Sequence, residues 1–328
     1  MKKRLSRRTR LAVVIGGLAL FACIGYLSIG YYIYLQLATG SQGHGDNKNN
    51  TPADFHLDWG ERKPFDLTEY VCPNYQDVVI PGGDEGIDLA AWWVLGKPGA
   101  PAVIMCHGIH SSKANSTLLL VAGMLNKNGY NLVLFDYRDH GFSTQEDGMI
   151  SLGVREYRDI IAVFDWLIQH KKIPAHRIGL YGSSMGGGYV AVAFMMDQRI
   201  PVVIMESPYA NLKMIIEEEL DRNGFPTWLS GGAVLTAKWH SGDDVLSMPP
   251  LSAVARSNGR PMLAIHSLSD KRVGVHHTQM MVQEAERAKA NLTSWIMDEV
   301  EHFEAPIAYP NKYEKKTRLK LFFSHPDG

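Results

Sequence analysis

Ser184 stands in Gly182-Ser183-Ser184-Met185-Gly186, between the apolar run Ile178-Gly179-Leu180-Tyr181 and a segment of helical composition. Strand, sharp turn and helix, in that order, present a serine hydroxyl at the top of a sheet on a strained backbone. Glycines suit positions 182 and 186 because side chains there would collide where strand and helix pass closely. The pentapeptide alone is a common pattern, and its setting is what marks Ser184 as a candidate nucleophile. The chemistry would be acyl transfer, with the hydroxyl oxygen attacking a carbonyl carbon once a base removes its proton.

The acid and the histidine are expected downstream, the histidine last. Asp270 follows the run Met262-Leu263-Ala264-Ile265-His266, in Ser267-Leu268-Ser269-Asp270-Lys271-Arg272-Val273. His302 follows Leu292–Met297, in Glu299-Val300-Glu301-His302-Phe303. His302 would deprotonate Ser184 and later protonate the leaving group, while Asp270 would fix the imidazole tautomer and stabilise the imidazolium. Glu206, after the run ending at Met205, is the rival acid. Two backbone N–H groups must meet the developing oxyanion. Met185, next to the nucleophile, supplies one, and Ile109 in His107-Gly108-Ile109-His110 the other, with His110 the alternative. His107 precedes the nucleophile and reads as a brace for its loop. His276-His277 has no converging third ligand in the sequence and reads as the start of a helix. Neither a metal nor a cofactor is required.

Such residues need a scaffold that brings strand ends together. From about Tyr70, short apolar runs alternate with segments of helical period. Strands are expected at Asp77–Pro81, Ile87–Leu95, Ala102–Cys106, Asn131–Tyr137, Arg177–Tyr181, Pro201–Met205, Pro261–His266 and Leu292–Met297. Helices are expected at Ser116–Asn126, along the stripe Tyr157, Ile160, Ile161, Phe164, Leu167 and Ile168, and at Gly186–Met196, Thr278–Ala288 and Lys312–Phe323. This alternation implies the α/β class: a mostly parallel sheet with helices on both faces, entered through an antiparallel hairpin. Tyr209–Pro250 breaks the alternation and carries Ile215, Ile216, Leu220, Phe225, Trp228, Leu229, Leu235 and Trp239. It reads as a helical lid insertion over the C-terminal edge of the sheet, where open α/β sheets bind ligands.

The 328 residues include 33 Lys+Arg and 34 Asp+Glu. With no basic surplus to neutralise phosphates, nucleic acid is excluded as a partner. The charge is unevenly placed: Lys2, Lys3, Arg4, Arg7, Arg8 and Arg10 stand together without an acid, and Leu11–Thr39 holds no charged residue. That run is long enough for a bilayer, and the positive-inside rule puts the N-terminus in the cytoplasm. It exceeds the apolar core of a cleaved signal peptide, although Ala38-Thr39-Gly40 offers a small-residue cleavage site. A lipoprotein reading at Cys23 is disfavoured by Phe21 and by the apolar run continuing past the cysteine. The expected organisation is a cytoplasmic basic segment (1–10), a transmembrane signal anchor (11–39), a flexible linker (40–64) and an extracytoplasmic catalytic domain (65–328) with the lid at 209–250. Cys72 and Cys106 could pair, but Cys106 sits in an apolar strand-like run and reads as a small buried side chain, and the chain is not a disulfide scaffold.

His107-Gly108 after one strand, Asp136-Tyr137-Arg138-Asp139-His140-Gly141-Phe142-Ser143 after the next, the Gly182–Gly186 turn, Glu206-Ser207-Pro208, Asp270 and His302 together resemble the α/β-hydrolase superfamily. The resemblance runs from about Tyr70 to Phe323 and is greatest to single-pass hydrolases related to serine aminopeptidases and dienelactone hydrolases. It implies Ser184 as nucleophile, Asp270 as acid, His302 as base, and Ile109 and Met185 as oxyanion donors. Two departures stand out. Asp139 occupies a position where many relatives have glycine, and Glu301 precedes His302 where many have glycine; Glu301 is expected to face solvent.

The expected reaction is hydrolysis of a carboxylic ester, thioester or small amide through an acyl-enzyme on Ser184. Acyl transfer to an alcohol or amine, or peptidase activity, would use the same triad, and a silent membrane-tethered binding scaffold is the non-enzymatic alternative. The expected partners are a small-molecule or lipid acyl substrate and the membrane. Fold alone names neither the acyl group nor the oligomeric state.

Overall fold

The computed structural model describes residues 6–298 and 300–318. In chain order the helices are α1 (Arg7–Ala38), α2 (Ser116–Lys127), α3 (Glu156–His170), α4 (Met185–Met196), α5 (Leu212–Arg222), α6 (Ser230–Ser241), α7 (Leu251–Ala255), α8 (His276–Ala288), α9 (Ala305–Ala308) and α10 (Pro310–Thr317). The strands are β1 (Ser41–Gln42), β2 (Tyr75–Pro81), β3 (Asp88–Val94), β4 (Ala102–Cys106), β5 (Asn131–Phe135), β6 (His140–Gly141), β7 (Ile178–Ser183), β8 (Val203–Glu206), β9 (Met262–Ser267) and β10 (Leu292–Met297). The main sheet has the order β10-β9-β8-β7-β4-β5-β3-β2. Its strands pair in parallel from β10 to β5, and β3 runs antiparallel between β5 and β2.

The central strands β4, β7, β8 and β9 are buried along their whole length and mostly apolar because both faces are covered. Alternate side chains enter opposite layers. On β4, Ala102, Ile104 and Cys106 join the layer of α3 and α4, while Val103 and Met105 join that of α2 and Tyr313 of α10. The same alternation puts Ile178 and Leu180 of β7 on one side and Tyr181 on the other. Helices therefore cover both faces, as expected. The expected final helix is present as Pro310–Thr317, and its continuation toward Phe323 lies outside the described residues.

The expected flexible linker behaves differently over its first part, which is fastened to the domain. Ser41 and Gln42 pair with His140 and Gly141. His44 is buried with Nε2 3.3 Å from Asp136 Oδ2. The buried Asn50 amide donates to the Ala114 carbonyl (3.1 Å) and accepts from His56 N–H (3.1 Å). A polar, aperiodic sequence suggests a solvated chain, but here its polar groups find partners in distant loops.

Helix α1 is long and apolar enough to cross a membrane. Its described first turns are exposed, whereas Gly30, Ile33, Tyr34 and Ala38 near its end are buried. Close packing against α6 requires the glycine: a Cβ on Gly30 would lie 2.3 Å from the Gly232 carbonyl carbon. The helix then leads directly into the fold, since Ile150 N–H donates to Ala38 O (2.7 Å) and Gly40 N–H to Gly148 O (2.8 Å).

Candidate active site

Strand β7 delivers Ser184 at the C-terminal edge of the sheet, and α4 begins at the next residue. Ser184 has φ 55° and ψ −120°, a conformation that L-residues avoid and that a surrounding scaffold must impose. The Ser184 N–H is held by Glu206 O at 2.8 Å. The turn is too tight for side chains on either flank. A Cβ on Gly182 would lie 2.2 Å from Gly186 O, and one on Gly186 2.5 Å from His107 O.

Ser184 opens into a cavity of about 380 Å³, which Ile109, His110 and Met185 also line. Met185 is the first residue of α4, so its N–H has no acceptor within the helix and points from the positive end of the helix dipole. Among the described residues, neither Met185 N–H nor Ile109 N–H is consumed by a backbone hydrogen bond outside the regular elements. Ile109 and Met185 thus line the same cavity as the serine.

Two strands further along, Asp270 and His302 meet. His302 Nδ1 donates to Asp270 Oδ2 at 2.7 Å. The other carboxylate oxygen accepts from the N–H groups of Arg272 and Val273, each at 2.9 Å. Burial alone would raise the Asp270 pKa, but hydrogen bonds from His266 and His302, with the His302 charge, hold it well below the usual carboxylate range. Asp270 is therefore a buried anion, matched to an imidazolium. Among the described residues, His302 and the Ser184 hydroxyl are not hydrogen-bonded to each other. Such contacts are commonly open in unliganded enzymes and close around substrate.

The rival acid is elsewhere engaged. Glu206 is buried and accepts from Tyr313 Oη at 3.0 Å, and Tyr181 Oη lies 2.7 Å from Tyr313 Oη. Burial pushes the Glu206 pKa well above its ordinary value, so this group is a neutral acid in a tyrosine chain. His107 is also buried. Its Nε2 accepts from Tyr137 N–H (3.5 Å) and its Nδ1 donates to Gly108 O (2.8 Å). Burial lowers its pKa to about 3, so it stays neutral and braces the loop that carries Ile109.

Both departures have physical explanations. Asp139 adopts φ 59°, and its Oδ1 accepts from the N–H groups of Glu146 (2.8 Å) and Gly148 (2.9 Å), which offsets the strain. Glu301 is exposed and pairs with Lys271 Nζ at 2.8 Å, away from the His302 ring.

Three contributions were not visible in the sequence. His266 anchors the Asp270 loop: its Nε2 contacts Val273 O (2.8 Å) and Asp270 Oδ2 (3.4 Å), and its Nδ1 contacts Thr278 Oγ1 (2.7 Å). A histidine four residues before the acid was the only available signal. Glu218 of α5 approaches His276 and His277, with ligand atoms all within 4.8 Å. His277 Nδ1 accepts from Ala210 N–H (3.1 Å), so the ring proton sits on Nε2, facing Glu218. Burial lowers the His277 pKa to about 4, so its ring is neutral and turns an N–H, not a lone pair, toward Glu218, which does not suit a ligand set. Finally, Tyr32, Ile33, Gln36 and Leu37 of α1 form one wall of the cavity, opposite Leu212, Ile215, Ile216 and Leu220 of α5.

Known proteins share this architecture. The chain is 32% identical over 146 residues to an uncharacterized 31.7 kDa protein of the traX-finO intergenic region of Escherichia coli, covering 44% of this chain and 50% of that one. It is 31% identical over 127 residues to the thiohydrolase aneE of Aspergillus aculeatus, covering 38% and 39%. The chain spans about half the length of the first of these curated relatives. An esterase from Pyrococcus furiosus has the same fold, with a TM-score of 0.64 and 23% identity over 79% of this chain and 95% of that one. The profile of the prolyl oligopeptidase family matches residues 116–325. The chain has the α/β-hydrolase fold, and it belongs to the prolyl oligopeptidase family.

Proposed function

We propose that this enzyme cleaves a carboxylic ester, thioester or small amide through an acyl-enzyme on Ser184. The observation that carries the reading is the convergence at one sheet edge of a strained serine, two unconsumed N–H groups and a buried carboxylate hydrogen-bonded to a histidine. His302 takes the Ser184 proton as the oxygen bonds to the acyl carbon, and Ile109 and Met185 N–H stabilise the oxyanion. Collapse of the tetrahedral adduct breaks the bond to the leaving group, which receives the proton from His302. Water then enters by the same route in reverse, releasing the acid and restoring Ser184.

Helix α1 anchors the enzyme, with the basic residues at its start in the cytoplasm and the catalytic domain beyond the membrane. In this reading α5 and α6 are the lid over the site.

Ser184→Ala tests the nucleophile. The variant is expected to lose labelling by a fluorophosphonate and to lose roughly 10⁴-fold or more in turnover of nitrophenyl esters. Undiminished labelling would remove Ser184 from the mechanism.

A further inference from the structure

The apolar side chains of the lid divide into two sets. Ile216, Leu220 and Leu229 are buried in the core. Phe225, Trp228, Leu235 and Trp239 are not, and Trp228 and Trp239 are 65% and 82% exposed. Large apolar groups gathered on one exposed face mark an interaction surface.

What covers that face follows from its register with α1. The Tyr26 ring stacks on Trp228 with centroids 5.7 Å apart. Gly30 meets Gly232, and His240 lies against Tyr34 with centroids 5.7 Å apart. Positions on α1 and α6 therefore advance together. A helix rises about 1.5 Å per residue, so the stretch from Leu11 to Gly30 spans about 30 Å, the thickness of a bilayer's hydrocarbon core. With α1 crossing from its basic end, Trp228 is level with the far part of that core. Trp239, next to His240, is level with the headgroups. Exposed aromatic residues at this depth, together with Tyr32 and the half-buried Tyr26 and Tyr31 of α1, form the kind of belt that favours the membrane–water boundary.

The cavity mouth lies on the same side. Tyr32 of α1 and Phe225 of the lid both line the cavity and are both exposed, so they form its rim. Its walls toward α1 and α5 are largely aliphatic, through Ile33, Leu37, Ile216 and Leu220, and its floor holds Ser184.

We infer that α6 and the turn before it are seated in the outer leaflet beside α1, and that the cavity over Ser184 opens onto the bilayer and draws an acyl lipid from it. The inference rests on the serine-hydrolase reading and names its substrate class. An acyl chain passes between α1 and α5 until its ester carbonyl reaches Ser184. Water adds across the ester bond in the two steps given above, and the products are a fatty acid and an alcohol that remains in or leaves the membrane. No co-reactant other than water is needed.

The test uses the full chain in phospholipid vesicles. Brominated phospholipids are expected to quench part of the tryptophan emission, and most of that quenchable part should vanish in Trp228→Phe/Trp239→Phe. Equal quenching in both proteins would overturn the seating. In the same vesicles, Trp228→Glu/Trp239→Glu should lower hydrolysis of a fluorogenic acyl phospholipid by at least about tenfold, because charges are costly at that depth, while p-nitrophenyl acetate hydrolysis stays within about twofold. A parallel fall for both substrates, or a fall for neither, overturns lateral entry. Fluorophosphonate labelling keeps the two readings apart. A chain that labels at Ser184 and cleaves the soluble ester but not the vesicle lipid refutes the lipid substrate alone. A chain that neither labels nor cleaves either substrate refutes the serine nucleophile as well.

Discussion

Replacing Asp270 by asparagine separates the two acids that the sequence offered. The carboxylate holds His302 through Oδ2 and two backbone N–H groups through Oδ1. An asparagine keeps the second role with its amide oxygen, so the loop should remain folded. Its NH2 group then faces His302 Nδ1, which must become an acceptor, and the ring proton moves to Nε2. In that tautomer the nitrogen facing the serine cannot take its proton, and the anion that would stabilise the imidazolium is gone. The expected cost in kcat is about 10⁴-fold, or roughly 5.5 kcal/mol at about 1.4 kcal/mol per tenfold. Glu206→Gln is the control. Burial holds Glu206 protonated, so glutamine mimics its native form and still accepts from Tyr313. Its activity should remain within about threefold of the parent, since only a neutral hydrogen bond is exchanged. Steady-state hydrolysis of a soluble nitrophenyl ester, with circular dichroism to verify folding, reads both variants. A loss below about tenfold for Asp270→Asn, or an equal loss for Glu206→Gln, would refute the assignment.

Two further predictions concern the scaffold. His107 is buried neutral with its pKa depressed to about 3, so the unfolded chain binds its proton first as pH falls. The stabilisation is complete above about pH 6.5 and is lost as pH drops toward 3. Between pH 7 and pH 5 the loss is about 2 kcal/mol. His107→Gln should flatten the dependence of the urea midpoint on pH over that range, and an unchanged slope would contradict the buried neutral ring. At Asp139, alanine forfeits two hydrogen bonds and keeps the strained φ, a cost of about 2 kcal/mol. Glycine forfeits the same bonds but removes about 1 kcal/mol of strain, so Asp139→Gly should unfold at higher urea than Asp139→Ala. The reverse order would contradict the strain assigned to the positive φ at this position.

Features with a local cause were legible in the sequence. Strand β4 occupies the expected Ala102–Cys106, because a buried parallel strand is a continuous apolar run bounded by turn residues, and the half-exposed edge strand β10 occupies the expected Leu292–Met297. The positions of Ser184, Asp270 and His302 at strand ends followed from the same pattern. What escaped depends on contacts between distant residues. His44 and Asn50 are ordinary linker residues until Asp136 and Ala114 are brought to them. Gly30 and Gly232 carry no mutual signal across some two hundred residues, yet each makes room for the other. Nor could composition divide Ile216 and Leu220, which enter the core, from Trp228 and Trp239, which do not. Each set has helical spacing, and only the placement of the sheet and of α1 decides which face is covered.

The treatment of α1 as a tether alone fails for a related reason. A tether should end before the domain begins and contribute nothing to the site. Here the last turns of α1 share the core with α3 and α4 through Ile33, Tyr34 and Ala38, and its side chains complete the cavity over Ser184. The Leu37 carbonyl also contacts the His110 ring, in the same loop as Ile109. On the anchored reading proposed above, the hydrogen bonds from Ile150 N–H to Ala38 O and from Gly40 N–H to Gly148 O fix the height of the cavity relative to the membrane that α1 would cross. A soluble substrate would gain nothing from that constraint. A substrate confined to a surface would meet the mouth at a set depth, in an orientation imposed by the bilayer, which lowers the entropy to be lost on reaching the serine.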